Sequence, residues 1–181
     1  MRDFNSQIVP ALRNNKDFEK MLDSDHEILV LLETRLSQLS GLVKYAHKRG
    51  KKVFIHADLV QGLKADEYGI EFLINNIKVD GIISTRGNVI TLAKKHRIFA
   101  IQRLFVLDSH ALEHNLKICN RVQPDYIEVL PGIIPKIIKE VYEKTGIPVI
   151  AGGLIRSKQD IDDALESGAA AVTTSNYELW K

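Results

Sequence analysis

Two sets of small residues stand where apolar runs end: Gly152 and Gly153 close "IPVIAGG", and Thr173, Thr174 and Ser175 close "AAAVTTS", about twenty residues further on. Glycine lets a ligand approach backbone amides, and the threonine and serine residues add amides and hydroxyls. Together they can surround phosphate oxygens without a buried cation. Either fragment alone reads as a tight turn or a capped strand end; their joint placement points to an anion. Arg156, in "GGLIRS", either reaches that anion or stays in solvent. The chain has no G-x-x-x-x-G-K-[ST] and no G-x-G-x-x-G, so neither a P-loop nor a dinucleotide fingerprint is present.

Other polar residues fall at the ends of apolar runs: His56 and Asp58 in "HADL", Arg86 in "STR", Gln102 and Arg103 in "RIFAIQRLF", and Glu128 in "PDYIEVLP". Alternation along a strand puts His56 and Asp58 on one side of it. Asp58 and Glu128 suit binding of ligand hydroxyls or acid-base work, and Arg103 suits pairing with them. A hydrogen-bonded rim needs no reaction to explain it, so ligand positioning is the expectation and no catalytic residue is assigned. Lys64 reads as an exposed loop lysine. His110 and His114 in "HALEH" lack a third ligand and read as a helical surface pair, with no metal site. No nucleophile elbow or Ser-His-Asp arrangement is recognisable. Cys119, the single cysteine, excludes an internal disulfide and reads as a buried thiol on a helix.

The elements that must position these residues are short and regular. Eight apolar or β-branched runs read as strands: Ser6 to Leu12, Glu27 to Glu33, Lys51 to Leu59, Val79 to Thr85, Arg97 to Phe105, Pro124 to Pro131, Ile147 to Gly153 and Ala169 to Ser175. Helical patterns separate most of them, at Thr34 to Lys48, Asp66 to Ile77, Asn88 to Lys95, Ser109 to Asn120, Ile133 to Lys144 and Lys158 to Glu166. Asp66 reads as a helix cap, and Gly50 and Gly168 as left-handed helix ends. Eight such units predict an α/β chain, a compact TIM-like (β/α)8 barrel whose strand ends converge on one face. A flavodoxin-like open sheet is the competing architecture. A barrel ordinarily takes about 250 residues, so closure within 181 requires reduced helices, especially between Leu12 and Glu27 and after Ser175.

The 45% hydrophobic and 27% charged content is that of a folded globular chain, and one domain spanning residues 1–181 is expected. No run is long enough to cross a bilayer, and "MRDFNSQIVP" lacks the features of a signal peptide, so a cytoplasmic location is expected and no membrane association. A net charge of +2 does not announce a nucleic-acid binder, yet basic residues cluster at "KYAHKRGKK" and "KKHR". Solvated helix ends favourable to the helix dipole explain both clusters equally well.

Long ordered stretches go further than any single motif. "PALRNNKDFE", "HADLVQGLKADEYGIEFL", "DGIISTRGNVI", "AIQRLFVLDSHAL", "PDYIEVLPGIIPKII", "AGGLI" and "AVTTS" together resemble the glycerol-3-phosphate-responsive antiterminators of bacterial glycerol uptake operons, over nearly the whole chain. The resemblance implies a TIM-barrel-like regulator that binds glycerol 3-phosphate as effector, needs no cofactor, and acts on leader mRNA to permit transcription through a terminator. It also implies a link to messenger-RNA stabilisation. On this chain it makes Gly152, Gly153, Thr173, Thr174 and Ser175 the phosphate end, and Asp58, Arg103 and Glu128 candidates for the glycerol hydroxyls.

No RRM, KH or helix-turn-helix signature is present, so RNA would have to use a face of the barrel. The candidates are Lys44, Lys48, Arg49, Lys51 and Lys52, with Tyr45 to stack on a base or to pack against a helix, and a second group of Lys94, Lys95, His96 and Arg97. Ligand binding is expected to order the last two strand-end loops and shift the outer surface towards RNA binding, and RNA must then raise ligand affinity in return. Self-association is left open. The alternative function is a barrel enzyme, isomerase or aldolase-like, acting on a small phosphorylated metabolite with Asp58 or Glu128 as base; a protein-interaction scaffold that merely holds an anion is a third.

Overall fold

The computed structural model describes residues 6–181; Met1 to Asn5, part of the stretch read for a leader, lie outside them. All eight expected strands form: β1 (Ile8–Leu12), β2 (Ile28–Leu31), β3 (Lys52–His56), β4 (Gly81–Ser84), β5 (Phe99–Phe105), β6 (Tyr126–Leu130), β7 (Val149–Gly152) and β8 (Ala171–Thr174). They are parallel, each beside its sequence neighbour, and β1 pairs with β8 through Ile8–Val172, Val9–Thr173 and Pro10–Thr174, which closes the barrel. The open-sheet alternative is excluded by that last pairing.

Among the described residues seven helices cover the outside: α1 (Asn15–Leu22), α2 (Leu36–Lys48), α3 (Glu67–Phe72), α4 (Gly87–Lys95), α5 (Ser109–Val122), α6 (Pro135–Thr145) and α7 (Lys158–Glu166). Their starts follow local capping chemistry. Asp66 accepts from the Gly69 amide at 3.0 Å, Asp108 from the Ala111 amide at 2.7 Å, and Ser157 forms a capping box with Asp160. The short barrel is achieved as expected: α1 has eight residues, and the place of an eighth helix is taken by a three-residue 3-10 turn, Tyr177–Leu179. Helix α3 runs on into a π-helical turn at Leu73–Ile77. The sequence did not announce a two-residue ladder that pairs Thr34–Arg35 with Val60–Gln61 above β2 and β3.

Alternation along the strands sorts side chains between two compartments. Outward residues such as Leu29, Val53, Ile82, Ile127 and Val172 pack under the helices, with Leu39, Val43 and Ala46 supplied by one stripe of α2. Inward residues Val9, Val30, Phe54, Ile83, Ile101, Tyr126, Ile150 and Ala171 fill the barrel. Gly81 is glycine because a Cβ there would lie 2.7 Å from the Phe54 ring, so the aromatic takes the volume that a side chain on β4 would need. Cys119 is buried on α5, and burial pushes its thiol up to about 12, which leaves it protonated and inert.

Candidate functional site at the barrel mouth

Two residues beyond the apolar inner layer, on the same strands and the same side, comes a polar one: His56 after Phe54, Arg103 after Ile101, Glu128 after Tyr126, Gly152 after Ile150 and Thr173 after Ala171. This layer closes the core at the C-terminal ends of the strands, the face where barrels carry their sites. Thr173 Oγ1 donates to Glu128 Oε1 at 2.8 Å, Arg103 Nε lies 3.6 Å from Glu128 Oε2, and Arg103 Nη1 lies 2.9 Å from His56 Nδ1. Guanidinium has donors only, so His56 Nδ1 accepts and the imidazole proton sits on Nε2. Burial, reinforced by the Arg103 charge, pushes His56 down to about 3, and the ring is neutral at physiological pH. Burial also pushes the Glu128 carboxyl upward, against the opposing pull of Arg103 and the Thr173 hydroxyl.

Above this layer lies a cavity of about 120 Å³ lined by Arg13, Arg103, Glu128, Gly153, Thr173, Thr174 and Ser175, together with Leu32, Leu130 and Ile155. Drug-sized sites occupy several hundred Å³, so this one suits a small metabolite. Arg103 Nε and Glu128 Oε2 are buried without a hydrogen-bond partner, which leaves one donor and one acceptor unmet beside the cavity. Larger clefts, about 550 Å³ beside α7 and about 630 Å³ between α4 and α5, lie outside the barrel, away from these strand ends.

Six of the residues expected at a ligand site therefore meet around one cavity: Arg103, Glu128, Gly153, Thr173, Thr174 and Ser175. Gly152 sits beneath them, and a Cβ there would lie 2.6 Å from Thr173 Oγ1 and 2.7 Å from Glu128 Oε1; its role is to leave room for that hydrogen bond. Overpacking of this kind costs about 1–3 kcal/mol, and thermal denaturation of Gly152→Ala is expected to show a loss of that size. An unchanged melting temperature would refute the packing role.

The structure corrects the alternation argument for Asp58. The residue lies beyond β3, in the 3-10 turn Ala57–Leu59, and is absent from the cavity lining. Its carboxylate is engaged by Ser84 Oγ at 2.9 Å, by the Thr85 amide at 2.8 Å and by Arg86 Nε at 3.4 Å, so it fastens the loop after β4. Gln102 braces the same loop by donating to the Thr85 carbonyl at 2.8 Å. The threonine hydroxyls are also more occupied than their types suggested: Thr174 donates to the Ile155 carbonyl at 3.2 Å. The tail after Ser175 makes only a three-residue turn capped by Asn176, too short for a helix dipole aimed at an anion. Sequence reasoning missed Arg13, although it directly follows β1, the strand that neighbours β8 in the closed barrel.

A cation at the rim and, in the wall, a second cation beside a carboxyl suit a molecule with an anionic end and a hydroxyl-bearing end. Residues 8–180 match the family of glycerol-3-phosphate responsive antiterminators. The chain belongs to that family. The structure of the glycerol uptake operon antiterminator regulatory protein from Listeria monocytogenes str. 4b F2365 is similar to this antiterminator at 54% identity and a TM-score of 0.95, covering 97% of this chain and 95% of that one. A glycerol uptake operon antiterminator-related protein from Thermotoga maritima MSB8 is 31% identical with a TM-score of 0.86, over 97% and 98%. The Uncharacterized protein YgcP of Escherichia coli (strain K12) is 35% identical over 96% of this chain and 91% of its own. Deoxyribose phosphate aldolase from Aeropyrum pernix shares the antiterminator's fold alone, at 16% identity and a TM-score of 0.71, over 93% and 85%.

Proposed function

We propose that the barrel mouth binds glycerol 3-phosphate as an effector and that the liganded protein acts on the leader mRNA of a glycerol operon, letting transcription pass a terminator and stabilising the transcript. The observation that carries this reading is the mouth cavity of a chain in this family, where Arg13 and Arg103 offer cations and Glu128 an unmet acceptor. Phosphate sits at the loops after β7 and β8, beside Gly153, Thr174, Ser175 and Arg13, and a glycerol hydroxyl donates to Glu128 Oε2. Among the described residues no helix is long and apolar enough to cross a membrane, and the protein works in the cytoplasm, where transcript and metabolite meet.

The ligand is sensed rather than converted. The inward layer provides a guanidinium, a neutral imidazole, a carboxyl and a hydroxyl, but no lysine amine for a Schiff base, and the Glu128 carboxyl is already engaged by the Thr173 hydroxyl and the Arg103 guanidinium. Asp58, the other candidate base, is committed to Ser84, Thr85 and Arg86.

Calorimetric titration is expected to show saturable binding of glycerol 3-phosphate and binding by glycerol at least about 10-fold weaker, since each charged hydrogen bond to the missing phosphate is worth about 1.5–3 kcal/mol. Equal affinity for both compounds would sink the phosphate assignment. Turnover of glycerol 3-phosphate or a triose phosphate that stops in Glu128→Gln would favour the enzyme instead.

A further inference from the structure

We propose that RNA docks across the C-terminal face of the barrel, directly over the metabolite cavity, and not on the two basic clusters visible in the sequence; this surface rests on the antiterminator reading above. Those clusters lie at the opposite end, where α2 and α4 finish and β3 and β5 begin. Much of their charge is already matched. Arg49 pairs with Asp23, Lys52 with Glu27 at 3.4 Å and Lys94 with Asp125 at 2.7 Å, while Lys51 is buried and donates to the Ser24 carbonyl. A phosphodiester approaching there would meet acids beside the cations, and ion-paired charges release little counterion.

The mouth is different. Exposed arginines stand on four separate loops around it: Arg13 after β1, Arg35 at the head of α2, Arg86 at the head of α4 and Arg156 ahead of α7. Among the described residues Arg13, Arg35 and Arg156 form no ion pair, and Arg86 has only Asp58 at 3.4 Å. Of the ten exposed large apolar side chains among the described residues, all but Tyr45, Phe72 and Tyr142 also lie on this face. Tyr68, in the first turn of α3, is 80% exposed, Leu107 is 84% exposed, and the Arg103 guanidinium lies 4.9 Å from the ring of Phe105. Fork-shaped arginines with accessible rings and apolar platforms are how proteins hold unpaired RNA, through backbone phosphates and base stacking. A protein partner would use the apolar groups without needing four arginines around them.

Position also answers the coupling question. A metabolite at one end of a close-packed barrel reaches the other end only through strain carried by the core. RNA lying over the cavity adjoins the loops after β7 and β8 that also line the metabolite site, so a metabolite that holds those loops in place favours RNA, and RNA in turn favours the metabolite.

The test compares unaltered protein with Arg35→Glu/Arg156→Glu and, on the opposite face, Lys48→Glu/Lys95→Glu, using the leader transcript of its own glycerol operon and an unrelated hairpin. Glycerol 3-phosphate titration without RNA checks that both variants are folded, because none of the four residues lines the cavity. The mouth variant is expected to lose at least about 10-fold in leader affinity and to flatten the salt dependence by about one to two in log-log slope, whereas the opposite-face variant stays within about twofold. Loss in the opposite-face variant with retention by the mouth variant overturns the surface and leaves the antiterminator reading intact. So does light scattering that shows a dimer broken by the mouth variant while RNA affinity holds, which would make this face a self-association surface. Failure of unaltered, ligand-saturated protein to bind the leader overturns both.

Discussion

Near neutral pH, an Arg103→Met protein is expected to be about 3–5 kcal/mol less stable than the parent, and Arg103→Met/Glu128→Gln to regain most of that loss. The reason is the depth of the pair: side-chain exposure is 16% for Arg103 and 5% for Glu128. Removing the cation leaves a carboxylate with Thr173 as its single side-chain hydrogen-bond partner and no opposing charge beside it. Glu128→Gln keeps the shape and the Thr173 contact while removing the charge, so the second substitution relieves the first. Burial already pushes Glu128 upward, and loss of Arg103 removes one of the two groups holding it down. The single variant should therefore recover in acid, where Glu128 takes up a proton. Denaturant melts of all four proteins of the cycle measure the coupling, and strict additivity would show that the two residues do not act as a pair. All three altered proteins are expected to bind glycerol 3-phosphate at least about 10-fold more weakly, because each loses a charged contact worth about 1.5–3 kcal/mol.

Acidification is expected to destabilise the protein from about pH 6.5 downward through His56. The folded ring holds its neutral form down to about 3, whereas the unfolded ring titrates near its ordinary value of 6.5. Between those limits the unfolded chain binds more protons, so the stability contributed by neutral His56 is fully present above pH 6.5 and is lost progressively as pH falls towards 3. The whole interval corresponds to at most about 5 kcal/mol at about 1.36 kcal/mol per unit. Glu128 works in the opposite sense: its raised carboxyl contributes stability that is present in acid and fades as pH rises above its ordinary value of 4.5. His56→Gln separates the two, since an amide oxygen can accept from Arg103 without titrating. Melting temperature against pH should fall less steeply below pH 6.5 in this variant than in the parent; parallel curves would mean that another group carries the acid sensitivity.

Both effects come from the same few atoms that face the cavity, which ties stability to sensing. The polar layer replaces apolar packing at the top of the barrel with a guanidinium held between a neutral imidazole and a carboxyl. A ligand that meets Arg103 Nε and Glu128 Oε2 would give hydrogen bonds to groups now buried without one, and its binding free energy adds to folding stability by mass action.

The sequence by itself determined the eight β/α units, most of the mouth residues and the family, while closure over an open sheet came from the pairing of β1 with β8. Strand alternation and helix stripes are set by geometry within a few residues, and capping works over three: Asp66 was legible as the start of α3 because its partner is Gly69. The eight runs followed from that period. Gly153, Thr173, Thr174 and Ser175 could be placed at one site because parallel β/α units bring consecutive strand ends to one face.

What only the tertiary structure decided is which charges meet. Arg103 and His56 are separated by 47 positions, and Thr173 and Glu128 by 45. Asp58 reaches Ser84 across 26, which ties it to the loop after β4 and away from the cavity lining. The basic clusters showed the same gap in its plainest form. Cations in the two local clusters, Arg49 and Lys52 in one and Lys94 in the other, are matched by acids 25 to 31 positions away, whereas Arg13, Arg35, Arg86 and Arg156, scattered along the chain, gather at one rim. Charge acts through space, over distances that barrel closure sets and that a reading along the chain does not contain.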